Sequence, residues 1–353
     1  MMRLSVPALA AAALFVLSTL PARAEWGESI NRALAAFKAK DFKAAEQAAL
    51  EAFDKAEGFA QDDDRVIQNH VVLADIYRET RQWAAASEQL KFALAGHASR
   101  GRQEGQEASN LQNKLGIVCT QMKDYDCALP AFEAALNIKR QKYAENAASI
   151  ASVVTNLAEL CRRKADLPRA LALHQQAIAD KEGALGADHP ALVASLNDIA
   201  LVLRDLKRHD EAVAPLQRAL ELAKKNTAPG GRADVGTTLH NIGDIAAALG
   251  KRDEAVTHFE QALAIRRAEL SPNHPQLSDT LNAFGNVLVA SGKGDDGLAM
   301  LDEAIAIRRE EFGKADQRTL LVMNNKVIAL ERVGRKAEAE TLRAEIAALK
   351  TKP

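Results

Sequence analysis

Gly292-x-Gly294-x-x-Gly297 matches, letter for letter, the loop that cradles the pyrophosphate of a dinucleotide. That chemistry needs a strand before the loop and a βαβ unit around it. Here the motif falls between two helical stretches, so it reads as a turn. The chain holds eight histidines, yet no His-Glu-x-x-His pair and no Gly-x-Ser-x-Gly elbow. His97 and His209 fall in expected turns, and His189 and His274 in linkers. We therefore expect no catalytic site, no metal and no cofactor. Three scattered cysteines, Cys119, Cys127 and Cys161, are too few for a metal cluster. Cys119 and Cys127 stand on consecutive expected helices that fold back on each other, where they could bridge; the other reading is three small buried side chains.

Two further residue types recur. Arg162 and Arg204 are flanked by Arg163 and Lys114. Like charges held close cost energy unless an anion sits between them, and guanidinium groups grip carboxylates by paired N–H bonds. An acidic ligand group is one reading. The other is local neutralisation, with Glu159 three residues before Arg162 and Asp75 three before Arg78. Asparagine recurs at Asn113, Asn197, Asn282 and Asn324, with Asn156 and Asn241 near the same register. Inside a helix it costs about 0.6 kcal/mol relative to Ala, so its recurrence calls for a reason. Either the amides bind the backbone of an extended peptide, or each bonds a neighbouring helix and orders the array.

The elements that carry these residues are helical. Hydrophobic residues make up 48% of the 353-residue chain, enough for a sizeable core, while aromatics at 4% argue against a sandwich or barrel. A formal charge of -1 gives no overall attraction to nucleic acid or an acidic membrane. Residues 1–24 read as a cleaved leader: Arg3, an apolar run from Leu4 to Leu20, and Ala22-Arg23-Ala24 before Glu25. The mature chain would start at Glu25 in a bacterial periplasm or beyond, with no membrane span left after cleavage.

A small residue recurs at Ala33, Ala74, Gly116, Ala158, Ala200, Gly243 and Gly285, and as Val327 in the last repeat, at spacings of 41 to 43 residues. A second small residue follows each by twelve, from Ala45 to Ala339. Large residues keep the same register, among them Leu90, Phe132, Leu216, Phe259 and Leu301. Turn signals fall between the paired positions at Lys40-Asp41, Lys123-Asp124, Lys251 to Asp253 and Gly292 to Asp295. Each repeat reads as two antiparallel helices whose apolar face is buried only by stacking on neighbours. Residues 25–353 are thus expected to form one all-α solenoid of about eight helix pairs.

This pattern resembles the tetratricopeptide repeat, in the longer variant of kinesin light chains. The resemblance is closest over residues 150–346, which carry Leu185-Gly186-Ala187-Asp188-His189-Pro190 and Leu270-Ser271-Pro272-Asn273-His274-Pro275, each before a helix. Leu196-Asn197 and Leu281-Asn282 follow early in those helices. Ala147-Ala148, Arg232-Ala233 and Asp316-Gln317 replace His-Pro in other linkers. The resemblance implies a right-handed superhelix with the first helices lining a concave groove, and asparagines there implicated in peptide binding. On that basis the candidate groove residues are Asn113, Asn156, Arg162, Arg163, Asn197, Arg204, Asn241, Asn282 and Asn324. The expected function is an exported scaffold for a protein or extended peptide, one with an acidic group. The rivals are a self-associating assembly factor of the cell envelope and, remotely, an enzyme or small-ligand sensor.

Overall fold

The computed structural model describes residues 21–56, 58–143, 146–228 and 230–351. Two compact units divide the chain, Met1–Leu160 and Cys161–Pro353. The first contains α1 (Pro21–Lys38), α2 (Phe42–Lys55), α3 (Asp64–Glu79), α4 (Trp83–Ser99), α5 (Gln106–Gln121), α6 (Tyr125–Lys142) and most of α7 (Ala147–Arg163). The second contains the end of α7, then α8 (Leu167–Leu185), α9 (Leu192–Asp205), α10 (His209–Lys225), α11 (Gly231–Ala248) and α12 (Arg252–Glu269). It closes with α13 (Pro275–Ala290), α14 (Gly294–Phe312), α15 (Gln317–Arg332) and α16 (Lys336–Thr351). No strand occurs among the described residues. The apolar run of the expected leader lies outside the described residues. In helix α1 the side chains of Trp26, Ile30 and Ala33 are buried.

Within each pair the small residues allow close backbone approach. Ala33, Ala45, Ala74, Ala86, Ala128, Ala158, Ala170, Ala212 and Ala255 have no exposed surface. Where the first small residue is glycine, the large residue of the second helix fills the space. A Cβ on Gly116 would stand 2.6 Å from the Phe132 ring, and one on Gly243 2.9 Å from that of Phe259. In the fourth repeat the large core position is taken by His174, buried, with Nδ1 4.0 Å from Asp198.

The turn inside every pair has one residue in the left-handed region: Lys40, Arg81, Lys123, Ala165, Lys207, Gly250, Gly292 and Gly334. Each stands seven residues after its small residue, and it reverses the chain in the shortest distance. In three repeats the next residue is an aspartate that caps the second helix. Asp41 accepts from the Ala44 N–H (3.1 Å), Asp124 from Cys127 (3.0 Å) and Asp166 from Arg169 (3.3 Å). Gly292 is this left-handed turn residue, so the glycine triplet belongs to the α13–α14 turn and no strand precedes it.

Candidate peptide-binding face

The candidate residues lie on the first helix of successive repeats, and the backbone brings them together in pairs. In the first unit Asn156 on α7 donates through Nδ2 to Asn113 Oδ1 on α5 (3.0 Å). In the second, Asn241 on α11 donates to Asn197 on α9 (2.7 Å), and Asn325 on α15 to Asn282 on α13 (2.9 Å). The rule is the same each time: the residue three before the small residue accepts from the residue two before the small residue of the next repeat. Neighbouring first helices therefore meet one residue out of register. Asn325, which completes the third pair, was missed in the sequence; Asn324 beside it is exposed and donates to Leu320 O of its own helix (2.7 Å).

The pairs differ in burial. Asn197 and Asn241 are each 6% exposed. Asn197 Nδ2 also donates to Thr238 Oγ1 and Val193 O, both at 2.9 Å. Of the two readings, Asn197 shows the bond to a neighbouring helix: its amide is spent inside the stack. Asn113, Asn156, Asn282 and Asn325 are half-buried. Their pairs use one Nδ2 and one Oδ1 each, leaving Asn113 Nδ2 and Asn282 Nδ2 to donate to another acceptor and Asn156 Oδ1 and Asn325 Oδ1 to accept from another donor.

The arginines are not bare cations. Arg162 Nη1 bonds Asp205 Oδ2 (3.0 Å), Arg204 Nη2 bonds Asp205 Oδ1 (3.3 Å), and Arg204 Nη1 bonds Asp244 Oδ2 (3.0 Å). Charges therefore alternate along α7, α9 and α11, with about a third of each guanidinium side chain still exposed. Arg163 is exposed and flanks this row. Burial, followed by the nearby Arg266 and Arg204, pushes His240 down to about 3, so its neutral ring lies 3.8 Å from Asp244. Burial raises the Asp244 carboxyl, and Arg204 opposes that rise. In the first unit buried Asp75 accepts from Arg78 Nη1 (2.8 Å) and Lys114 Nζ (2.7 Å).

A second recurring feature escaped the sequence reading. Late in the second helix, Lys139, Lys181 and Arg266 each stand eleven residues after the second small residue of their repeat. Lys139 donates to Ser149 Oγ (2.6 Å), Lys181 to Ser195 Oγ (2.7 Å) and Arg266 to Thr280 Oγ1. Each ties a second helix to the first helix that follows it. Burial lowers the pKa of both lysines.

Cys119 and Cys127 are joined in a disulfide across the α5–α6 turn, and Cys161 is buried outside that bridge. Asp124 is the one further metal-binding group near that bridge among the described residues. There, no helix is long and apolar enough to cross a membrane.

Paired helices with small residues at their crossings, repeated at one period, define a tetratricopeptide-type array. Models of the tetratricopeptide repeat match residues 107–183, 149–225, 234–293 and 277–317. They cover more than half of the chain, which belongs to the tetratricopeptide repeat family. Protein kinesin light chain-related 3 of Arabidopsis thaliana is 24% identical over 184 residues, 52% of this chain and 28% of that protein. The chain thus spans little more than a quarter of that relative's length. Among solved structures, the apo form of the quorum sensor NprR from B. thuringiensis superposes with a TM-score of 0.67 at 14% identity, covering 92% of this chain and 87% of that one. A Rap protein complexed with competence and sporulation factor gives 0.51 at 15% identity, covering 94% and 98%. At these identities the structures speak to the fold alone.

Proposed function

We propose that the chain is an exported, non-enzymatic scaffold that holds an extended peptide or protein segment against its first helices. The observation that carries this reading is the pair of half-buried amide couples, Asn113–Asn156 and Asn282–Asn325. Each has one donor and one acceptor to spare, matching the C=O and N–H of a peptide backbone. The exposed edges of Arg162 and Arg204 add donors for an acidic side chain or C-terminus. The fold-level neighbour complexed with competence and sporulation factor is compatible with a ligand-holding role. Export is supported by the apolar run before Ala22-Arg23-Ala24 and by a disulfide, which persists in oxidising compartments.

The test begins with crosslinking of the tagged protein in its own cells and identification of the partner by mass spectrometry. Binding of that partner is then measured. Arg162→Ala with Arg204→Ala should weaken it about tenfold, more steeply at low salt. Asn282→Ala should weaken it less, with little salt dependence. Unchanged affinity in both variants would remove the first helices as the binding face. Intact mass of the exported form should place its first residue at Glu25; retention of Met1 to Ala24 would overturn the cleavage.

A further inference from the structure

Two asparagines stand at the positions of the pairing rule without an amide partner among the described residues. In the last repeat Asn324 occupies the accepting position. Its Nδ2 donates to the carbonyl four residues back, Leu320 O (2.7 Å), as Asn197 does to Val193 O (2.9 Å). In Asn197 that arrangement leaves Oδ1 to accept from Asn241 of the next repeat, whereas among the described residues none donates to Asn324 Oδ1. In the first repeat Asn31 occupies the donating position, two before Ala33, and it is exposed.

The surroundings of the two asparagines match. On α15, Leu321 is 61% and Ile328 50% exposed, the two most exposed large apolar side chains outside α4. Ile117 and Leu201, which stand where Ile328 does, are half-buried. On α1, Ala35 is exposed where Ile76, Val118, Val202 and Ile245 are buried in later repeats. The charges are complementary as well. Within the chain Arg162 pairs with Asp205 of the following repeat. At those same two positions the ends carry Glu331 on α15 and Lys38 on α1, with the signs exchanged. Lys181 and Arg266 reach Ser195 and Thr280 of the repeat that follows. The equivalent positions at the ends are Lys350 on α16 and Glu28 on α1, both exposed.

We propose that α1 of one copy docks on α15 and α16 of a second copy, continuing the repeat ladder head to tail. Asn31 would donate to Asn324, Lys38 would meet Glu331, and Glu28 would meet Lys350, while Ala35 covers apolar surface around Leu321 and Ile328. The contact joins two different surfaces, so it propagates to an open chain or closes to a ring. It uses neither the amide couples nor the arginines assigned to a peptide, and it stands or falls separately from that reading.

Sedimentation velocity over a range of concentrations should show the purified chain growing in integral multiples of the protomer. Ile328→Asp should leave it a protomer with unchanged helicity, since that side chain is exposed. Lys38→Glu should weaken association about threefold or more, as expected of an exposed ion pair turned repulsive. Adding Glu331→Lys should restore it. With a short bis-maleimide, a mixture of Asn31→Cys and Asn324→Cys chains should give a covalent dimer that neither variant gives alone. A protomer mass at every concentration would overturn the proposal. So would a dimer from Asn324→Cys alone, which would mean back-to-back pairing, or its linkage to a different protein in cell extract without the mixed dimer.

Discussion

Replacing Asn197 with Ala isolates the structural worth of the amide ladder. The substitution removes three hydrogen bonds: from Asn241 Nδ2 (2.7 Å), to Thr238 Oγ1 (2.9 Å) and to Val193 O (2.9 Å). Thr238 keeps its bond to Asp234 O and Val193 O lies within a helix, so those two losses are mild. Asn241 is 6% exposed, and its amide would be left without a partner. A buried donor stranded in this way costs about 1–3 kcal/mol. Alanine returns about 0.6 kcal/mol of helix propensity. The net loss should be about 2 kcal/mol, read as a lower urea midpoint at unchanged slope by far-ultraviolet circular dichroism. Asn282→Ala should cost less than about 0.5 kcal/mol, because half-buried Asn325 can turn to water. The double change Asn197→Ala with Asn241→Ala should cost about 1 kcal/mol less than the sum of the singles, since it removes the stranded group. If Asn197→Ala is neutral, or Asn282→Ala costs as much, the ladder does not hold the stack.

Four further outcomes are expected. Gly285→Ala would bring a Cβ to 2.7 Å from Gly297 O and 2.9 Å from Leu301 Cγ; backbone cannot yield as a side-chain tip does, so a chemical melt should show a net loss of about 1–2 kcal/mol despite better helix propensity. Ala165 holds a left-handed backbone at φ 59, and Ala165→Gly should stabilise the fold by about 0.5–1 kcal/mol, read as a higher melting midpoint. Burial holds His240 at about 3 against 6.5 in the unfolded chain, so below pH 6.5 the unfolded state takes up a proton that the native state refuses. Stability should fall as pH is lowered from 6.5 toward 3, and His240→Gln should flatten that dependence in urea melts; buried His97 and half-buried His70 and His258 are shifted the same way. Reducing the Cys119–Cys127 bridge, whose cysteines are 8 residues apart, should cost up to about 2.5 kcal/mol, and an unchanged midpoint with and without reductant would mean that the thiols are not joined.

The period, the helix pairs and their turns were legible because they rest on sterics. A small residue is needed wherever two helices cross closely, and Ala or Gly leaves that need in the sequence as a repeating letter. The turns at Lys40-Asp41, Lys123-Asp124 and Gly292 carried a signal; at Arg81, Ala165 and Lys207 the short chain reversal imposes the left-handed conformation on an ordinary side chain. The polar links were read less well. Counting positions on one helix put Asn197 and Asn324 on one stripe, yet it gave no sign that the next helix is offset by one residue. That offset makes Asn241 and Asn325 the partners. Asp205 and Asp244 were passed over for the same reason: the search for countercharges stayed on the arginine's own helix, where Glu159 is, while the bonds run to the next. His174 interrupts the apolar series with a polar ring, although its register alone marks it as a core residue.

The same atoms are called on to hold the stack and to hold a ligand, and the two demands limit each other. Between the fifth and sixth repeats, Asn197, Asn241, Arg204 and Asp244 are bonded to one another, to Thr238 or to Asp205. A peptide would have to displace those bonds, trading one hydrogen bond for another with little net gain. At Asn113–Asn156 and at Asn282–Asn325 a single bond joins each pair, and a backbone amide could bind without breaking it. Affinity per residue should therefore be highest at those two couples and lowest where the sequence stripe is most regular. A loss of binding in Asn197→Ala would then report a loosened stack. A loss in Asn282→Ala, with the melting midpoint kept, would report a lost contact.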